Sequence, residues 1–523
     1  MQTVETLPEV LHAAARQFGD LEAVVEPPLR PTFAEVDRLV AQRARALLAC
    51  GVQPGDRVAL WAPNGLEWIL LSFAVYSSGA VLVPINTRFK GEEAAFVLRQ
   101  AGVRLLLTVT DFLDTDYPAR LDGHDLPELA QIVVVSGEAS PGCTAKANFL
   151  AGAARVPAAA VAEREAGLDG SSVCDIIFTS GTTGKPKGAQ LTHGASIATY
   201  RQWADRVGLR AGDREVIVYP FFHTSGLKSG VLAAFLKGAT LVPHAVFDVT
   251  SVMRVVAEER ITFLPGPPSV FQSILSHPEL DRFDVGTLRL SVTGAATVPV
   301  ELIERMRTEL RLESVVTAYG LTETHGTATV CFGSDPAQTI AETVGAPLDG
   351  LELRVVDDDG VDVPAGEVGE VWVRGFNVTA GYFGDPDATA EAVVDGWLRT
   401  GDVGWMGPDD HLRLVDRKKD LLMVGGFNVA PAEVERVLLC RDDVAQVAVV
   451  AAPDARLGEV GAAFVVPRPG RVVDPDEVVG WCREQMANYK VPRYVVLVDA
   501  LPVNASGKVQ KTVLREQARR LGQ

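Results

Sequence analysis

Helix-period and strand-period patterns alternate along the chain as far as about residue 330, which restricts it to folds whose strands are joined by helical crossovers. Thr32-Phe33-Ala34-Glu35 has the form of a capping box. Apolar residues then recur at Val36, Leu39, Val40, Leu47 and Leu48, and Gly51 supplies the stop. A Pro54-Gly55-Asp56 turn leads into the strand-like Val58-Ala59-Leu60-Trp61. The uncharged stretch from Ile69 to Ile85 is broken by Ser77, Ser78, Gly79 and Pro84, so it reads as a buried helix turning into a buried strand, not a membrane span. Strand, helix, strand at this spacing predicts βαβ units on a parallel sheet covered by helices.

The texture then changes twice. Residues 151–170 are rich in alanine with scattered charge and read as a linker or exposed excursion. From Gly345 to Asp416 short strands such as Leu353–Val356 and Glu370–Arg374 alternate with Gly, Pro and Asp turns, predicting a small β-rich unit. A basic knot, Arg417-Lys418-Lys419, precedes a last segment with its own alternation: helix from Pro431, strand Val444–Val450, helix from Asp474, strand Tyr494–Val498. The expected division is 1–416, with the β-rich part at about 331–416, then a hinge at 417–419 and a C-terminal domain at 420–523.

Charge and cysteine usage remove several function classes. With 49 Lys plus Arg against 67 Asp plus Glu, the net charge is −18, and an acidic surface disfavours nucleic acid or anionic lipid as the main partner. The six cysteines include no C-x-x-C pair, which suits reduced thiols and neither a disulfide framework nor a zinc site. The first residues, Met1-Gln-Thr-Val-Glu-Thr-Leu-Pro, lack a basic segment followed by an apolar run, so the expected location is cytoplasmic and no transmembrane segment is expected. No G-x-S-x-G elbow, H-E-x-x-H helix, dinucleotide glycine fingerprint or kinase motif set is found.

The strongest local signal follows the strand Val173–Phe178: Thr179-Ser180-Gly181-Thr182-Thr183-Gly184-Lys185-Pro186-Lys187-Gly188. Glycines let backbone N–H groups turn inward, hydroxyls add donors and lysines add positive charge, which together make a cradle for a phosphate chain. Pro186 separates it from a Walker A loop.

In its residue order this loop resembles the signature of the adenylate-forming superfamily, which includes acyl-CoA synthetases, luciferase-like enzymes and peptide-synthetase adenylation domains. The resemblance continues in order through Phe221-Phe222-His223, Gly294-Ala295-Ala296, Tyr319-Gly320-Leu321-Thr322-Glu323-Thr324 and Arg399-Thr400-Gly401-Asp402. Asp416-Arg417-Lys418-Lys419-Asp420, Gly425-Gly426-Phe427-Asn428 and Asn504-Ala505-Ser506-Gly507-Lys508 complete it. It implies an α/β fold with two helix-flanked, mostly parallel sheets, a small β-barrel-like unit and a mobile α+β C-terminal domain.

It also implies the chemistry: a carboxylate attacks the α-phosphate of ATP, pyrophosphate leaves, and the acyl-AMP passes its acyl group to CoA. The loop from Thr179 to Lys187 would grip the distal phosphates, with Gly294, Ala295, Ala296, Tyr319, Gly320 and Leu321 around adenine. Thr322 would donate to the α-phosphate, Glu323 would hold Mg²⁺, and Asp402 would accept from the ribose hydroxyls with Arg417 beside it. Lys508 would bridge the carboxylate and the α-phosphate, Lys419 would be the hinge, and Gly425, Gly426 and Phe427 would line the CoA path. His223, Thr224, Gly226 and Leu227 are the expected acyl wall, with Lys228 and His325 facing either that pocket or solvent.

Two details narrow the resemblance. Many members carry Glu where this chain has Phe427. The Gly-Gly-Phe-Asn form, together with Asn488-Tyr489-Lys490-Val491-Pro492 and His223-Thr224-Ser225-Gly226-Leu227-Lys228, resembles actinobacterial CoA ligases for steroid-ring breakdown acids, and also ATP-dependent diazotases that activate nitrite for coupling to an aryl amine. The expected partners are therefore a small carboxylic acid, ATP and CoA, with the diazotase as the alternative and a homodimer left open.

Overall fold

The computed structural model describes residues 4–179, 186–294, 298–424, 427–454, 456–503 and 509–521. The strands Arg57–Trp61 (β1), Val81–Pro84 (β2), Val103–Val109 (β3), Gln131–Ser136 (β4), Thr144–Ala145 (β5), Val173–Thr179 (β6) and Lys187–Thr192 (β7) form one sheet in the order β5-β4-β3-β1-β2-β6-β7. Every pairing in it is parallel except β6 with β7. The helix Phe33–Ala49 begins on the expected capping box. Thr32 N–H donates to Glu35 Oε2 at 2.9 Å, and Glu35 N–H returns to Thr32 Oγ1 at 3.3 Å. The apolar stretch resolves into the helix Leu66–Ser77 and β2, both buried, and side chains such as Ile69, Leu71 and Phe73 each contribute about 1.5–3 kcal/mol by leaving water.

A second sheet uses Arg214–Ile217 (β8), Thr240–Pro243 (β9), Leu290–Thr293 (β10), Ser314–Tyr319 (β11), Thr329–Val330 (β12) and Ala346–Pro347 (β13). Phe263 joins its halves by parallel bridges to Glu215 and Leu290. The β-rich unit contains Glu352–Val356 (β14), Gly369–Arg374 (β15), Val393–Val394 (β16), Trp397–Met406 (β17) and Leu412–Arg417 (β18), all antiparallel. Its strands begin at Glu352, whereas β13 completes the second sheet by pairing with β12.

The last unit has Leu422–Val424 (β19), Phe427–Val429 (β20), Val444–Asp454 (β21), Gly458–Pro467 (β22) and Tyr494–Leu497 (β23), with helices Pro431–Leu438, Pro475–Gln485 and Lys511–Ala518. Its buried apolar cluster runs from Leu422 to Ala518 and is separate from the large cluster spanning Leu7 to Leu348. A third, small cluster of Tyr319, Ala328, Val371, Val373 and Leu412 ties the second sheet to the β-rich unit.

The alanine-rich stretch, expected to be a linker or an exposed excursion, is mostly exposed but helical. It forms the helix Ala158–Ala166 after Lys146–Gly152, with Val161 and Ala153 buried. A Cβ on Gly152 would lie 3.1 Å from Ala49 Cβ, showing how closely small residues bring this segment to the helix Phe33–Ala49.

Candidate active site

Strand ends and turns, not strand centres, carry most of the side chains of interest. Tyr319 closes β11, and its hydroxyl donates to Asp402 Oδ2 at 2.6 Å, while Arg417 Nε lies 3.0 Å from Asp402 Oδ1. Asp402 and Arg417 face each other because β17 and β18 pair them in register. Burial first, and the neighbouring Asp402 charge second, push the Tyr319 phenol well above its ordinary range, so it is a donor at neutral pH. A carboxylate has about four lone-pair positions, so Asp402 retains acceptor capacity for two hydroxyls of a bound sugar.

Directly after Tyr319 the chain makes a tight turn, Thr322–Thr324, closed by His325 in the left-handed region at φ 56°. A Cβ on Gly320 would lie 2.5 Å from the Gly326 carbonyl oxygen, so glycine is required for this turn to close. Glu323 Oε1 accepts the Tyr382 hydroxyl at 2.7 Å, and the Glu323 carbonyl accepts Thr379 N–H at 2.7 Å. Tyr382 bridges Ala189 of β7, and Lys187 Nζ sits 5.1 Å from its ring centroid. Lys187 and Glu323 are therefore brought to one Tyr382 ring. The cradle residues Ser180, Gly181, Thr182, Thr183 and Gly184 lie outside the described residues, between Thr179 at the end of β6 and Lys187 at the start of β7.

His223 Nδ1 accepts the Ser225 backbone N–H at 3.3 Å and lies 3.0 Å from Ser225 Oγ, which assigns the neutral ring's proton to Nε2. The loop before it is held by Asn64. Asn64 Oδ1 accepts Phe221 N–H at 2.8 Å, and its Nδ2 donates to the Tyr219 carbonyl at 2.9 Å. Thr224, Gly226 and Leu227, which follow His223, are buried. A Cβ on Gly326 would meet Thr224 Cβ at 2.8 Å, so this segment abuts the turn that carries Thr322 and Glu323.

Lys228 and His325 are placed differently from the expectation that they face a pocket or solvent. Lys228 is 1% exposed, and its ammonium is paired with the fully buried Asp175. His325 is fully buried, with Nδ1–H donating to the Asn377 carbonyl at 2.7 Å and Nε2 accepting Thr192 N–H at 3.0 Å. Both ring nitrogens serve the backbone, and burial holds its pKa down at about 4. Ala295, Ala296, Gly425, Gly426 and Lys508 lie outside the described residues, as do the side chains of Lys419 and Phe427. Gly294 follows β10 with φ 153°.

A buried tyrosine–carboxylate pair met by a partly exposed arginine is thus followed along the chain by a carboxylate-bearing turn that Tyr382 ties to the basic start of β7. The AMP-binding enzyme family matches residues 11–383 and the AMP-binding enzyme C-terminal domain matches residues 433–508. The chain belongs to this family, that of the adenylate-forming enzymes, and within it to the acyl-CoA ligase type.

It is 46% identical over 514 residues, 98% of this chain and 99% of the relative, to a (7a-methyl-1,5-dioxo-octahydro-1H-inden-4-yl)propanoyl:CoA ligase of Mycobacterium tuberculosis. A ligase of the same description from Rhodococcus jostii is 44% identical over 518 residues, 98% of each chain. Among solved structures, an anthranilate CoA ligase in complex with anthranoyl-AMP matches with a TM-score of 0.87 at 27% identity, covering 99% of this chain and 98% of that one. An amide bond synthetase from Marinactinospora thermotolerans matches with a TM-score of 0.84 at 29% identity, covering 98% and 99%.

Proposed function

We propose that this enzyme activates a fused-ring keto acid bearing a propanoate arm, forming the acyl-AMP with release of pyrophosphate and then the acyl-CoA with release of AMP. The observation that carries the reading is the Tyr319–Asp402–Arg417 set, whose Tyr319 lies three residues before Thr322 of the Glu323 turn, because it suits a nucleoside whose phosphates run toward β6 and β7. The acid class is supported by two relatives that match along almost the whole chain and whose names specify such an acid.

In this reading Tyr319 presents its ring to adenine while its hydroxyl keeps Asp402 oriented toward the ribose. Thr322 donates to the α-phosphate, and Lys187, with the loop from Thr179, neutralises the distal phosphates. The Glu323 carboxylate beside a phenol hydroxyl is the hard oxygen donor that Mg²⁺ takes. Among the described residues no cluster of three or more metal-binding side chains exists, so a cation at Glu323 would draw its other oxygens from triphosphate and water. Bound there, Mg²⁺ would supply charge neutralisation on the phosphates.

His223, with Thr224, Gly226 and Leu227 behind it, forms the wall between nucleotide and acid. Lys508 bridges the carboxylate and the α-phosphate in the first step. Rotation about Lys419 then removes it and brings Gly425, Gly426 and Phe427 to the pantetheine arm of CoA. A reducing, cytoplasmic setting is supported by six cysteines that are all unpaired. Among the described residues no helix is long and apolar enough to cross a membrane.

The test is pyrophosphate release and thioester formation over a panel containing the relatives' fused-ring propanoate, aromatic acids and straight-chain acids, each with and without CoA. Highest kcat/KM for the fused-ring acid, with acyl-CoA as product, is the expected outcome. Nitrite-driven turnover that needs an aryl amine and no CoA would overturn it.

A further inference from the structure

Immediately after His223 the chain winds into a π-helix, Ser225–Leu232. Such wide turns occur mostly singly and at functional sites, so eight residues of it need a cause. The segment is pressed against the second sheet. A Cβ on Gly226 would lie 2.2 Å from the Pro220 carbonyl oxygen, and one on Gly230 would lie 2.9 Å from Ile217 Cδ1. Lys228, in its middle, reaches across to Asp175 of β6.

The pair is fully satisfied without a ligand. Asp175 also accepts the Tyr76 hydroxyl at 2.7 Å and the Cys174 thiol at 2.9 Å, and the ammonium lies 5.5 Å from the Tyr76 ring centroid. Burial pulls the Lys228 pKa down, but the neighbouring Asp175 more than offsets this and holds it above the ordinary value, so the ammonium keeps its charge beside that carboxylate. Taking two such charges out of water costs several kcal/mol per ion, which makes the pair a poor source of stability. The best-attested use of a buried ionic contact is to select one register over another. Here the register matters at both ends. The π-helix starts where Thr224 packs on Gly326, beside the Glu323 turn. From Asp175, β6 runs to Thr179, where the phosphate cradle begins.

We propose that Lys228 and Asp175 are positioning residues: their ion pair holds Ser225–Leu232 in π register and so sets the acid-binding wall relative to the strand that delivers the phosphate cradle. Neither touches substrate. An α-helical turn would use fewer residues, and each residue of slippage would rotate the following side chains by about 100° around the axis. The effect on the acid rests on the site proposed above; the effect on helical register does not.

Lys228→Met combined with Asp175→Asn removes both charges and leaves neither ion alone. Its crystal structure is expected to show the segment rewound toward α. Its KM for the fused-ring acid should rise on the order of tenfold or more, with KM for ATP held within about twofold. Lys228→Arg, which keeps the charge, should recover part of the acid affinity. An unchanged π-helix in the double variant overturns the proposal whatever the substrate proves to be, as does a parallel rise in both KM values. If the double variant does not fold, Tyr76→Phe keeps both charges and removes one hydrogen bond from Asp175. A rise in acid KM of about two- to fivefold, with ATP unaffected, then supports the proposal, and an unmoved acid KM overturns it. Wild-type enzyme inactive on the fused-ring acid would count against the proposed function, and the crystal structure alone would then decide the register.

Discussion

The Tyr319 hydroxyl and the Arg417 guanidinium grip opposite oxygens of one buried carboxylate, Asp402, at 2.6 and 3.0 Å. Tyr319→Phe removes one of these donors and leaves the ring. KM for ATP is expected to rise about three- to tenfold, equivalent to the roughly 0.5–1.5 kcal/mol of one hydrogen bond, with acid KM unchanged. Asp402→Ala leaves both partners without their acceptor and should cost more in ATP affinity than Tyr319→Phe. Initial rates of pyrophosphate release against ATP concentration check both; an Asp402→Ala enzyme with wild-type ATP dependence would contradict the ribose role.

Lys508→Ala should lower acid-dependent pyrophosphate release on the order of 10²–10³-fold while thioester formation from supplied acyl-AMP persists. Loss of both half-reactions in a folded variant would remove Lys508 from its assigned step.

Glu323→Gln keeps an acceptor for the Tyr382 hydroxyl and removes the negative charge. The Mg²⁺ concentration for half-maximal pyrophosphate release should shift upward about tenfold or more, whereas Tyr382→Phe should shift it less. An unchanged Mg²⁺ titration in Glu323→Gln would place the cation elsewhere.

Buried histidines give stability a direction in pH. Burial holds His193 and His325 down at about 4 against 6.5 unfolded, so between those values the unfolded chain binds protons that the folded one refuses. Stability should fall as pH drops through that window. His12 works in the opposite sense. Hydrogen bonds to Asp37 and Glu165 raise it to about 10, a contribution present below pH 6.5 and lost as pH rises through 10. Urea midpoints from about pH 7 to about pH 4.5 measure the acid limb. His193→Asn, which retains an acceptor for Leu7 N–H, should flatten it. A slope identical to wild type would show that His193 does not carry the effect.

What could be read in advance was local. The capping box at Thr32, the helix-to-strand change after Ser77 and the ordered motifs from Thr179 to Lys508 are short runs whose chemistry is contained in their own spacing. What escaped depends on topology. Tyr382 lies 59 residues from the Glu323 it binds, and Asn64 lies 157 residues from the Phe221 N–H it accepts, so no window of sequence contains either pair. Lys228 and His325 stand beside motifs, where sequence alone allows either the acyl pocket or solvent as their surroundings. Each instead found an internal partner, 53 residues away at Asp175 and 52 residues away at Asn377. The alanine-rich stretch is largely exposed, as one of its two readings has it, but its helices were not legible: small side chains look featureless in sequence, yet they allow helices to pack closely.

The separate apolar cluster of the last unit has a mechanical consequence. The bonds that meet near the basic knot are polar: Asp416 accepts Ala432 N–H at 3.0 Å and lies 3.8 Å from Lys511 Nζ, while Lys418 Nζ reaches Glu370 at 3.2 Å. The Lys418–Glu370 pair is partly exposed and so worth little, whereas Asp416 and Lys511 are mostly buried; among the described residues the two apolar clusters do not merge across this joint. Parting the last unit from the rest at this joint would break these polar contacts and open neither of the two described apolar clusters.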